Sequence, residues 1–116
     1  MGIINRVYKE AAQLFGDENV TISSNKTPPI DVLIDLEHVH IKSGQYTPKQ
    51  ISLSHDGKYY WMKIDDFSWE FDDNVAEFLS TCIDYMNAVK SGALCLHGLK
   101  IGSAIFFKRL EIDSKK

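Results

Sequence analysis

No apolar run in this sequence approaches the ~20 residues of a membrane-spanning helix. Even the stretch from Ala93 to Phe107 is cut by His97, Gly98, Lys100 and Gly102. Cysteine is scarce. Cys82 and Cys95 are the only two in 116 residues, and each sits in an apolar pattern, which argues for free buried thiols rather than a disulfide framework. There is no Gly-rich loop ending in Lys-Ser or Lys-Thr, so nucleotide-phosphate chemistry has no motif to rest on. Positive charge is also short: 13 Lys and Arg face 16 Asp and Glu, a net charge of −3. That balance argues against a nucleic-acid binder that works by neutralising phosphates. The opening residues lack the basic start and continuous apolar core of a secretory signal, so the expected compartment is the cytoplasm.

What the sequence does contain is a patterned chain of one-domain size. At this length a single core forms without disulfide or metal staples. From Ile3 to Phe15 the apolar residues follow the helical stripe, and Gly16 stands where a helix stops. A short strand is expected over Val20 to Ser23, then a turn through the two adjacent prolines. The next strand begins near Ile30. Val32, Ile34 and Leu36 share one face, yet Val39 and Ile41 fall on the other, and the slip in phase predicts a bulge.

Asp56-Gly57 reads as a two-residue hairpin turn. It predicts Leu53 opposite Tyr60 and Ile51 opposite Met62. A second reversal at Asp65-Asp66 sets Phe67 opposite Ile64 and Trp69 opposite Met62. One face of this meander is apolar, and the other carries Ser52, Ser54, Tyr59, Trp61 and Lys63. A second amphipathic helix follows, with a stripe from Val75 to Val89 and Gly92 at its end. Strands at Ala93 to His97 and Ala104 to Ile112, joined by a Gly98 to Ser103 loop, complete the chain. The expected fold is α+β: one domain over residues 1–116, with a mainly antiparallel sheet of about five to seven strands packed with two amphipathic helices.

Charge is unevenly distributed. Between Lys63 and Lys90 there is no Lys or Arg but seven acids: Asp65, Asp66, Glu70, Asp72, Asp73, Glu77 and Asp84. The remainder holds 9 acids and 13 bases, so a −7 window sits in a +4 chain. A local acidic field attracts a basic partner and speeds encounter. Taken singly, each acid also reads as a helix cap or a solvated turn. Next to them, Tyr59 and Trp61 stand on the polar face, with Glu70 opposite Trp61. Rigid aromatics beside acids suit a protein-binding hot spot. The competing reading has the first helix or a loop covering this face and making both rings core.

Other candidates are thinner. His38 and His40, spaced to share a strand face, supply two metal ligands but no third. Ser54-His55-Asp56 holds triad residue types in an order that cannot converge. Cys95 and His97 share a strand face at too great a separation for a thiolate and its base. The sequence therefore points to a small non-enzymatic protein-binding domain without cofactor or metal, contacting neither nucleic acid nor membrane. Its partner-binding residues are Tyr59, Trp61, Asp65, Asp66, Glu70, Asp72, Asp73 and Glu77. An immunity-type inhibitor of a basic toxin, such as a nuclease, fits best by functional analogy. The alternatives are a chaperone or adaptor for a secreted protein, and an enzyme or small-ligand protein using a pocket near His38, His40 or His97. Oligomeric state is left open by the sequence.

Overall fold

A computed structural model describes residues 2–23, 29–41, 46–72, 74–101 and 104–112, with the backbone alone at 97–101 and 104–109. Helix α1 (Ile3–Phe15) forms because Ile4, Val7, Ala11 and Phe15 recur at three- and four-residue spacing, and all four are buried. It stops at Gly16, whose φ of 92° is open to glycine and whose N–H donates to Ala12 O at 2.9 Å. A single 3₁₀ turn (Asp17–Asn19) leads into β1 (Val20–Ile22). Asn19 Nδ2 closes the helix end by donating to Phe15 O at 2.7 Å.

Strands β2 (Ile30–Asp35), β3 (Gln50–His55), β4 (Tyr60–Ile64) and β5 (Phe67–Phe71) continue from β1 as an antiparallel meander in sequential order. The register aligns its apolar residues in three rows across the sheet. Ile30, His55, Tyr60 and Phe71 form one row, Ile22, Val32, Leu53, Met62 and Trp69 the next, and Val20, Ile34, Ile51, Ile64 and Phe67 the third. The middle members of the second and third rows, Val32, Leu53, Met62, Ile34, Ile51 and Ile64, are fully buried, each worth roughly 1.5–3 kcal/mol of apolar transfer, while His55 and Tyr60 are half-buried.

Helix α2 (Val75–Ser91) is capped by Asn74, whose Oδ1 accepts from Glu77 N at 3.1 Å, and it ends at Gly92 in the left-handed region. Both helices lie on this apolar side. α1 covers β1 to β3, α2 covers β4 and β5, and the helices touch each other. Phe78 of α2 meets Tyr60 and Phe71 at ring separations of 4.7 and 5.5 Å, and Tyr85 meets Trp69 at 5.4 Å. The arrangement is α+β, with β6 (Leu94–Ile101) and β7 (Ala104–Ile112) forming a separate two-stranded sheet beside α2.

Three sequence expectations need correction, and half of one competing reading falls away. The β3–β4 connection is a four-residue loop, not a two-residue turn: His55 pairs with Tyr60 and Leu53 with Met62. Only Gly57 takes positive φ there, because Asp56 accepts backbone N–H bonds from Lys58 and Tyr59 instead of entering the left-handed region itself. The register moves by two residues, so the face assignments within the strands survive, but Tyr59, expected on the polar strand face, falls in the loop before β4. The phase slip after Leu36 is not a bulge. β2 ends at Asp35, Leu36 N bonds Lys49 O, and Val39 N bonds back to Leu36 O in a turn. The last hairpin does not loop at Gly98. That residue pairs with Lys108, and the strand runs on to Ile101 past an irregularity at Leu99/Lys100. Finally, α1 does not cover the polar face of the meander, since it packs on the opposite side. The turn at 24–28, the Gly102-Ser103 pair and the tail from 113 lie outside the described residues.

Candidate functional site

The outer side of the five-stranded sheet carries no helix among the described residues. Its register gives a row of Asp31, Ser54, Trp61 and Glu70, and beside it a row of Thr21, Leu33, Ser52, Lys63 and Ser68. Asp35 and Gln50 start a third. The strands thus bring three carboxylates, Asp31, Asp35 and Glu70, and one lysine, Lys63, to this face, and Leu33 stands 41% exposed between Thr21 and Ser52 in its row. Trp61 is half-buried at the centre of its row. Its indole N–H donates to Asp56 Oδ2 at 3.0 Å, which orients the ring. The other oxygen of Asp56 accepts from Lys58 N and Tyr59 N, both at 2.8 Å. These donors, the two backbone groups first and the indole next, hold the Asp56 carboxyl at about 2, below the ordinary value. Tyr59 sits in the same loop, half-buried, with Lys58 Nζ 5.1 Å from its ring centre.

The acids do not form one ridge. Asp65 and Asp66 lie at the β4–β5 reversal, while Asp72 lies past the far end of β5 and Glu77 in the first turn of α2. Six residue steps separate Asp66 from Asp72, about 20 Å of strand. Glu70 stands between, exposed and paired across from Trp61. Asp84 is exposed on α2, and Asp73 lies outside the described residues. Two of these acids have internal duties. Asp65, at a φ of 51°, accepts from Lys49 N at 2.9 Å and Gln50 N at 3.2 Å with Oδ1, and from the Tyr46 hydroxyl with Oδ2. Glu77 accepts from the capping Asn74 side chain, Nδ2 at 3.3 Å. Asp66, Glu70 and Asp72 remain as exposed carboxylates.

An open groove of about 580 Å³ runs at the Asp65 end of the face, bounded by Leu33, Asp35, Glu37, Tyr46 and Lys63 among others. The strict alternation of Ile30 to Asp35 places Asp31, Leu33 and Asp35 on the polar side, yet none of the three is among the site residues expected from the sequence. Tyr46 carries no such signal, since a loop residue reaching an acid 19 positions away leaves no local pattern. Burial first, then the Asp65 hydrogen bond, push the Tyr46 hydroxyl pKa well above the ordinary range.

His38 and His40 are exposed on the turn after β2 rather than aligned on a strand. His55 stacks on Tyr60 at 4.2 Å. It helps line a second depression of about 400 Å³ with Ile3, Ile30 and Tyr60. Both cysteines are buried thiols, not joined in a disulfide. Cys95 Sγ donates to Glu111 O at 3.3 Å, and desolvation raises the Cys82 thiol pKa. Among the described residues, no three His, Cys, Asp or Glu side chains are grouped to hold a metal ion. No helix among them is long and apolar enough to cross a membrane. Comparison with known proteins finds no matching family, no matching curated protein and no matching solved structure.

Proposed function

We propose that this chain is a small cytoplasmic protein-binding domain that receives a basic partner on the outer sheet face, with Trp61 as the anchor. The observation that carries this reading is the Trp61 indole, set on a sheet face that no described helix covers and fixed in one orientation by Asp56. A ring already held in place loses little freedom when a partner covers it, which is what a binding hot spot requires. Glu70 across from it, and Asp31 and Asp35 further along, favour a cationic surface. An immunity-type inhibitor that covers the basic surface of a toxin, such as a nuclease, matches this chemistry by functional analogy. The reading assigns the chain no catalytic step and no cofactor. Its two amphipathic helices serve to rigidify the platform from behind.

The test is a titration against the purified product of the adjacent coding sequence, following binding calorimetrically. Trp61→Ala is expected to weaken the complex about 30-fold, the usual loss of a central hot spot of ~2 kcal/mol. The association rate is expected to fall as salt rises. An unchanged affinity for the alanine variant, with the fold intact by circular dichroism, rejects the reading.

A further inference from the structure

The hydrogen-bonding phase of the meander can be followed strand by strand. Asp56 N bonds Tyr59 O at 3.1 Å and Asp65 N bonds Gln50 O at 3.2 Å, so the odd-numbered residues of β4 turn their backbone groups to β3. Its even-numbered residues, Tyr60, Met62 and Ile64, then serve β5, where they pair with Phe71, Trp69 and Phe67. Tyr60 N points to this side as well, reaching Asp72 O at 3.4 Å one residue beyond its partner Phe71, where the ladder ends. Ser68 and Glu70 are thus left turning their N–H and C=O groups away from the sheet. Among the described residues β5 pairs with β4 alone.

That open edge has two unlike flanks. On the helix side, Phe67 and Trp69 are half-buried, with Tyr85 tilted against Trp69. On the outer side lies Glu70, next to Trp61, and Asp66 and Asp72 stand exposed at the two ends. A second copy of this chain is a poor occupant. Two β5 edges paired antiparallel about Trp69 set Asp66 against Asp72 twice, and directly opposed like charges are destabilising.

We infer that the partner binds by adding an extended strand to β5, with lysine or arginine on the side of Glu70 and apolar residues on the side of Trp69. This rests on the protein-binding reading above and specifies its mode, main-chain pairing for affinity with alternate side chains for selectivity. The added strand runs antiparallel to β5, as every pair in this sheet does, so residues directly opposite Ser68 and Glu70 share their face and exchange backbone bonds with them, and the basic positions of the added strand are the ones whose N–H groups bond to β5.

The test uses short capped peptides alternating lysine with valine and follows the protein by amide hydrogen exchange. The parent peptide is expected to slow exchange at Ser68 and Glu70 about tenfold or more. N-methylation at the valines is expected to preserve this effect, and N-methylation at the lysines to abolish it. A peptide alternating glutamate with valine is expected to give no protection. Equal behaviour of the two methylated peptides overturns the inference, as does protection of Ser68 and Glu70 in a dimer of the protein alone. Peptide binding that Trp61→Ala weakens without any protection at β5 refutes the added strand and leaves the outer-face reading standing. Protection at β5 that Trp61→Ala does not alter supports the strand and counts against Trp61 as the anchor.

Discussion

The indole N–H of Trp61 donates to Asp56 Oδ2 at 3.0 Å, so the largest ring of the outer face is held by the residue that shapes the preceding loop. One carboxylate organises both the backbone of the β3–β4 connection and the orientation of the aromatic side chain beyond it.

This link gives an acid-range signature. The folded carboxyl of Asp56, at about 2, lies below its ordinary value of 3.8, so the ionised form favours the fold. Its contribution is complete above the ordinary value and is lost as pH falls through about 2. In an NMR titration the Asp56 carboxyl and the Trp61 indole N–H are expected to move together with a midpoint near 2. An indole signal that ignores the Asp56 titration contradicts the link.

Asp65 and Asp66 are adjacent acids with different expected effects. Asp65→Ala removes the acceptor for Lys49 N, Gln50 N and the Tyr46 hydroxyl, and is expected to cost about 2–3 kcal/mol in urea unfolding. Asp66→Ala, on the exposed turn, is expected to stay within about 0.5 kcal/mol. Equal losses at both sites reject the structural role given to Asp65.

At high pH the sign reverses. The Tyr46 hydroxyl has its pKa raised by burial and by Asp65, so its protonated form favours the fold. That stability is present below the ordinary tyrosine value and is lost as pH rises through the folded one. Tyr46→Phe is expected to be less stable near neutrality by about 1 kcal/mol, through loss of one hydrogen bond. It is also expected to lack the highest-pH step in phenolate absorbance. A variant retaining that step assigns it to another tyrosine.

Behind the sheet, Phe78 is fully buried against Tyr60 and Phe71. Phe78→Ala is expected to cost about 3–5 kcal/mol in thermal or denaturant unfolding. A loss under about 1 kcal/mol is incompatible with the packing described.

Local pattern went far in this chain because its elements are short-range objects. The Ile4, Val7, Ala11 and Phe15 stripe marks α1, and the alternation in Phe67 to Phe71 marks β5 with its reversal at Asp65-Asp66 correctly placed. The site was legible in part. Trp61 and Glu70 oppose each other as their spacing implies, because a register error of two residues at Asp56-Gly57 returns each side chain to the same face.

Periodicity along the chain determined which residues share a face, since alternation along a strand and the helical repeat are properties of consecutive backbone. It also set the acidic window free of Lys and Arg. Only the tertiary structure decided that both helices pack on one side of the meander and that Asp65 is tied to Tyr46. Those outcomes depend on contacts between residues distant in the chain, where side-chain volume and backbone hydrogen-bond satisfaction choose among several arrangements that the same local pattern allows.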